Sequence, residues 1–291
     1  MRGLIVRKDY TERKYPIRTT KELLESSMVV INKPKGPFSF EVTDEVKDIL
    51  KVKKTGHAGT LDPNATGVLT IGINKGCHVL QAIGHAPKEY EGIMHLHSEA
   101  TLSKIISASK KFQGVITQLP PVRSAVKRAE RQREIYSLEV EDVRGRDVYF
   151  TVKCQAGTYV RKLCTEWGKE LAINAHLKEL IRTAAGPYTL HDAVKLEIFS
   201  KKPESYLKPV ETAVTHLKHV WIDDKTVTSM KNGSQPFLPG VYKYEEGISV
   251  GDLIAIMTPS QELAAIGTSL LDENGFKGVK GQIAKLERVM L

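Results

Sequence analysis

Asp62 is the lone acid in the stretch GHAGTLDPNATGVL (56–69), set between Leu61 and Pro63 with glycines at 56, 59 and 67. Pro63 biases Asp62 toward an extended backbone, and the glycines allow another backbone or a flat ligand to come close. A glycosidase needs two facing carboxylates, and this window offers one. Taken alone, it also fits a helix opening with Asp62 as N-cap and Pro63 at the first helical position.

A second charged residue gives the carboxylate a partner. Arg161 falls in the first turn of a helix expected over 158–171, where the macrodipole disfavours a cation. A buried or half-buried arginine there needs an anion; a surface arginine whose stem covers apolar side chains is the alternative. The strand-turn-helix context puts it at the end of a sheet, where α/β sites tend to lie. Paired with Arg161, Asp62 would stay ionised and act as a nucleophile, not as a general acid.

Other chemistries have less behind them. His95 and His97 share a strand face, and His57 and His85 could join them around a metal, but H-x-H without a defined third ligand is more often structural. There is no G-x-S-x-G, P-loop or G-x-G-x-x-G motif, which removes the usual esterase, NTPase and dinucleotide readings. Cys77, Cys154 and Cys164 lack C-x-x-C spacing, so neither a disulfide framework nor a cysteine-rich zinc site is expected, and a reducing compartment suits the chain. The N-terminal stretch has no apolar core of the secretory kind, and no apolar run reaches membrane-spanning length. A cytoplasmic protein is expected, or a nucleolar one in a eukaryote.

Charge points toward a polyanion. The net charge is +9. Residues 218–291 carry 8 basic and 9 acidic side chains, so the whole excess lies in residues 1–217. Such a body favours RNA or DNA, although a basic enzyme whose charge only aids solubility is the alternative. Arg123, Lys127, Arg128, Arg131 and Arg133 crowd one stretch after QLPP; a solvated face is the usual fate of such a run, and a groove wall that meets phosphates is the functional one.

The elements that must position these residues follow from periodicity. MVVIN (28–32) and VLTIGI (68–73) are expected as strands, as are YEGIMHLH (90–97) and VYFTVKC (148–154). SFEVTDEVKDIL (39–50) has helical spacing with Ser39 as N-cap, residues 102–112 are a second helix, and HLKELI (176–181) a further short one. SKKPESYLKP (200–209) resembles a linker. From Val220 onward, short strands with turn signals suggest a small β-barrel of about 75 residues.

These segments together resemble the TruB/dyskerin family of RNA pseudouridine synthases. GHAGTLDPNATGVL is similar to its catalytic signature, INKPKGPFSFEV to its lysine-proline-glycine motif and KEYEGIMHLH to its tyrosine-bearing strand. QLPPVRSAVKRAERQREIY, GTYVRKLCTEWGKEL and HLKELIRTAAGPYTLHDA follow in the family order, and VWIDDKTVTSMKNGSQPFLPGV with GDLIAIMT resembles a PUA domain.

The resemblance implies an α+β fold: a mixed, largely antiparallel sheet with flanking helices, plus a small β-barrel PUA domain. It divides the chain into an extension (1–25) packing on the C-terminal domain, a catalytic domain (26–215) and the PUA domain (216–291). It makes Asp62 the catalytic aspartate, Tyr90 the aromatic that stacks on the uracil, Arg161 the cation paired with Asp62, and Leu180 an apolar pocket wall. Lys33, His57, Lys127, Arg128 and Arg182 become RNA or pocket contacts, and Lys231 and Gly233 PUA contacts. One carboxylate suffices, because the base is re-used rather than hydrolysed away. Asp62 attacks the sugar or assists glycal formation, and no cofactor or metal is implied.

MHLHSEATLSKIISA lacks the T-x-T-x-D-x-x-G insertion of bacterial-type members, and with no lysine-rich tail the chain looks archaeal. This branch supplies the catalytic subunit of the box H/ACA particle. The implied partners are guide RNA, substrate RNA, a small zinc-ribbon-like subunit, a β-barrel subunit and a kink-turn-binding protein. Leu119, Ile181 and Ala184 stand where relatives usually carry basic residues, so fewer phosphate contacts and a steeper dependence on partners or low salt are expected.

Overall fold

The computed structural model describes residues 3–119 and 129–291. In chain order its elements begin with β1 (Leu4–Val6), α1 (Thr20–Glu25), β2 (Ser26–Lys33), α2 (Ser39–Leu50), β3 (Thr55–Ala58), β4 (Ala65–Asn74), α3 (Leu80–His85) and β5 (Lys88–Leu96). Next come α4 (Leu102–Lys110), β6 (Gly114–Gln118), β7 (Arg131–Arg144), β8 (Asp147–Cys154), α5 (Val160–Glu170) and β9 (Ala175–Ala185). Short pieces β10 (Tyr188–Thr189), β11 (Val194–Lys195), α6 (Leu196–Phe199) and β12 (Lys208–Pro209) lead to the last set. That set is β13 (Lys218–Ile222), α7 (Asp224–Lys231), β14 (Val241–Glu245), β15 (Leu253–Met257), β16 (Leu263–Ser269), α8 (Glu273–Phe276) and β17 (Ala284–Val289).

Eleven strands form one sheet in the order β11-β2-β4-β9-β5-β8-β7-β6, with β10 beside β9, β12 beside β2 and β3 beside β4. Its ladders are antiparallel except β11/β2 and β4/β9. Alternation along β2 and β4 serves two cores at once. Val29, Ile31, Leu69 and Ile71 meet Val42, Val46 and Leu50 of α2 on one side. Met28, Val30 and Val68 meet Ala82 and Ile83 of α3 on the other, in a cluster that continues into Trp221, Tyr242 and Ile266. Strands covered on both faces read as continuous apolar runs, which is why MVVIN shows no alternation. Farther along the sheet, α5 buries Val160, Leu163, Cys164 and Trp167 against Phe150 and Val152.

The remaining strands make a six-stranded sheet, β1-β14-β13-β15-β16-β17, around its own core of Val220, Ile254, Ile256, Ala265 and Phe276. The first strand of the chain supplies its outer member, with Leu4 opposite Glu245 and Val6 opposite Lys243. Tyr10 stacks on Tyr242 at 4.8 Å. Among the described residues no helix is long and apolar enough to cross a membrane.

Three expectations are corrected. HLKELI lies in β9 rather than in a helix, because its neighbours β4 and β5 hydrogen-bond along it; a six-residue apolar pattern cannot separate the two states, and pairing decides. Ser39 is the first residue of α2, not its cap; the cap position is Phe38. The stretch 200–209 is no free linker, since β12 pairs with β2 and Leu207 is buried. The sequence pattern also passed over α7, whose Asp223 caps it by accepting the Thr226 N–H at 2.9 Å.

Candidate active site

Asp62 sits on the six-residue connection between β3 and β4. No helix begins there, so the N-cap alternative is excluded: Asp62 O accepts the Ala65 N–H at 3.0 Å, closing a turn with Pro63 and Asn64 at its centre. Beyond the turn β4 begins parallel to β9, placing Ala65 opposite Leu180 and Gly67 opposite Arg182, and pairs with β3 only from Thr70 onward. Gly67 has φ +102°, and a Cβ there would stand 2.3 Å from the Arg182 carbonyl oxygen. Glycine is required by that crossing of backbones.

The turn is held from behind by two buried cations. Lys33, fully buried, donates to the carbonyls of Pro34 (2.9 Å), Pro63 (3.3 Å) and Ala65 (2.9 Å). Arg182, also buried, donates to Val68 O at 2.7 Å and Gly59 O at 2.9 Å. Burial pulls both below their ordinary values, with mutual repulsion adding to the effect on Lys33. Buried cations are tolerated where carbonyl lone pairs solvate them. Ser39 ties the loop to α2, accepting the Leu61 N–H at 2.8 Å and donating to Leu61 O at 2.9 Å.

Arg161, in the first turn of α5, donates a hydrogen bond to Asp62 Oδ2. The pair joins residues 99 apart in the chain. Their side chains remain 57% and 55% exposed, so the surface alternative describes the arginine's exposure while its anionic partner is present. Such a pair adds little to stability; what it does is aim the carboxylate. Tyr90 lies on β5 opposite Arg182, and Gly92 opposite Leu180, so Tyr90 and Leu180 belong to the strands that flank the turn. Burial pushes the Tyr90 phenol up, with the hydrogen-bonded Arg182 guanidinium pulling the other way. The phenol is therefore neutral at neutral pH.

The residues expected to meet RNA separate into groups. Lys33 and Arg182 are buried and bonded to carbonyl oxygens of the turn and its flanking strand. His57, on β3, is half-buried between Thr43 Oγ1 (3.3 Å from Nδ1) and Thr60 Oγ1 (3.5 Å from Nε2). Burial first, then Arg182, holds its pKa below the usual histidine value. Lys231 and Gly233 are exposed together at the C-terminal end of α7, Gly233 with φ +88°. Lys127 and Arg128 lie outside the described residues, as does Arg123.

Histidines 57, 85, 95 and 97 do not converge. His95 bonds Asp147 at 2.6 Å, His97 contacts His176 at 3.0 Å, and His57 faces its two threonines. Among the described residues no group of three His, Cys, Asp or Glu side chains is arranged to hold a metal ion. Sequence reasoning missed Ser39 as the tie to Leu61, and it missed Lys88. The Lys88 ammonium is buried on the carbonyls of Ile83, Gly84 and Ala86, and burial lowers its pKa to about 8. The only signal for Ser39 was its place beside INKPKGP.

Comparison with known proteins agrees with this geometry. Residues 47–160 match the TruB family pseudouridylate synthase N-terminal domain, 161–215 the tRNA pseudouridylate synthase B C-terminal domain, and 218–290 the PUA domain. A probable tRNA pseudouridine synthase B of Pyrococcus furiosus is 42% identical over 92% of this chain and 83% of its own. Its counterpart in Methanocaldococcus jannaschii is 38% identical over 94% of this chain and 85% of its own. The crystal structure of a Cbf5-Nop10-Gar1 complex contains a chain that matches with TM-score 0.92 and 37% identity, over 99% of this chain and 94% of that one. An H/ACA RNP bound to a substrate RNA containing 2′-deoxyuridine gives TM-score 0.90 and 35% identity, over 100% and 95%. With matches along nearly its whole length and a lone, arginine-aimed aspartate on the signature turn, the chain belongs to the TruB family of RNA pseudouridine synthases.

Proposed function

We propose that this enzyme isomerises uridines in RNA as the catalytic subunit of a guide-RNA-directed box H/ACA particle, with Asp62 as nucleophile. The contact between Arg161 and Asp62 carries the chemical half of this reading. An Asp62 oxygen bonds to C1′ of the target uridine as the C1′–N1 bond breaks. The uracil stays in the site and turns. C5 then bonds to C1′ and expels the carboxylate, C5 loses its proton, and N1 takes one up. Arg161 orients the charged carboxylate, Tyr90 supplies an aromatic face for the extruded base, and Leu180 an apolar wall.

Guide direction rests on a different feature. The chain passes from Leu96 at the end of β5 to Leu102 at the start of α4 through a short connection, leaving no RNA-gripping insertion at that point. Without that insertion the target is presented by other components, and two of the similar structures are a Cbf5-Nop10-Gar1 complex and an H/ACA RNP with substrate RNA. By the family resemblance the partners are guide RNA, the zinc-ribbon-like and β-barrel subunits, and a kink-turn-binding protein. The names of the curated relatives favour a second reading, a stand-alone tRNA synthase.

Tritium release from C5 of labelled uridine in RNA separates the two. Release only when guide RNA and partner subunits are added is the expected result. Full-rate release from tRNA by the protein alone would establish the stand-alone reading instead.

A further inference from the structure

Phe38 and Phe40 are 50% and 57% exposed, and their rings stack on one another with centroids 5.6 Å apart and planes 22° from parallel. Single exposed apolar residues need no explanation. Two rings held together in water, with no role in either core of the large sheet, do.

Their position is fixed by the same contacts that fix the active turn. Ser39, between them, is buried and bonds both backbone groups of Leu61, the residue before Asp62. Gly36 N–H donates to Pro63 O at 2.9 Å, on the other side of Asp62. The Glu41 carboxylate accepts the Phe38 N–H at 2.7 Å, and the Val42 N–H reaches Phe38 O at 3.2 Å, so the pair is set rigidly on the start of α2.

We propose that Phe38 and Phe40 form a stacking platform for a base next to the target uridine in the substrate strand. Phenyl rings without polar handles recognise a flat π-face irrespective of base identity. Extruding the uridine removes one stacking partner from each neighbour, and a ring pair tied to the Asp62 turn offers a replacement to one of them. Exposed Lys35 precedes the rings and exposed Glu41 follows them, so the strand's phosphates run on the Lys35 side. The platform positions the substrate and takes no part in bond making. It rests on the reading of Asp62 as the reacting group.

The test uses the full chain in its assembled particle, with the double variant Phe38→Leu/Phe40→Leu, which keeps apolar bulk but removes the rings. Affinity for single-stranded substrate RNA and KM should each weaken about 5- to 160-fold, the range of one lost base–aromatic stack, with kcat within about twofold. Phe38→Trp/Phe40→Trp should restore binding. Parent protein should lose a similar factor with an abasic residue at one neighbour of the target, and the leucine variant should lose nothing further there. Parent-like RNA affinity in the leucine variant overturns the proposal, including the case in which only subunit assembly weakens and the rings serve a protein. Independent, multiplying losses at both neighbours also overturn it. Asp62→Asn run in parallel keeps the two readings apart: its failure is seen in turnover with binding intact.

Discussion

His57 illustrates how the setting of one side chain becomes measurable. Its ring is half-buried beside Arg182, and burial with that neighbouring charge lowers its pKa below the usual 6.5. The unfolded chain therefore takes up its proton at higher pH than the folded protein does. Proton binding favours the unfolded state, so stability falls as pH drops from about 7 through the normal histidine range. A Tm-versus-pH series should show this loss, and His57→Gln should flatten it. An unchanged slope in the variant would place the depressed group elsewhere. Asp62 and Arg161 behave differently: both stay more than half exposed, so their pairing matters to geometry rather than to the stability of the fold.

At the scale of elements, the turn is rigid because β2, β4, β9 and α2 all hold it through named atoms. Lys33→Met tests the hold from the β2 side. It keeps the length and apolar stem but removes the donor shared by the carbonyls of Pro34, Pro63 and Ala65, the costly half of such an exchange. Of the three, Pro63 O keeps the Gly36 N–H. Denaturation at pH 7 should show about 2 kcal/mol of lost stability, together with slower turnover. Parent-like values in both would mean that the ammonium does not anchor the turn. Much of this framework was legible in the sequence. The strands at 28–32, 68–73, 90–97 and 148–154 and the helices starting near 39 and 158 follow from apolar periodicity, and the glycine-flanked aspartate announced a special turn. Three features were not, because they depend on contacts between distant segments. Strand β9 looks helical until its partners are known, Lys33 and Arg182 look like surface cations until carbonyls enclose them, and Ser39 looks like a cap until Leu61 takes its hydroxyl.

At the scale of the molecule, a basic body meets a nearly neutral C-terminal sheet. The excess charge lies in residues 1–217, while Lys231 and Gly233 stand exposed at the end of α7 on the small domain. If that helix end touches an RNA phosphate, Lys231→Glu should weaken RNA binding about tenfold at low salt and reduce the slope of log K against log salt by about 0.7–1. Turnover at saturating RNA should be unaffected. An unaltered slope would move the contact away from α7. The two sheets share one apolar cluster, from Met28 and Ile83 to Trp221 and Tyr242.

The most direct test of the nucleophile is tritium release from C5 of labelled uridine by Asp62→Asn, in the assembled particle, beside a binding assay with the same RNA. The amide keeps the shape of the side chain and removes its charge. RNA binding within about twofold of the parent with no release above background is the predicted result. Release near the parental rate would contradict a reaction carried by the Asp62 carboxylate.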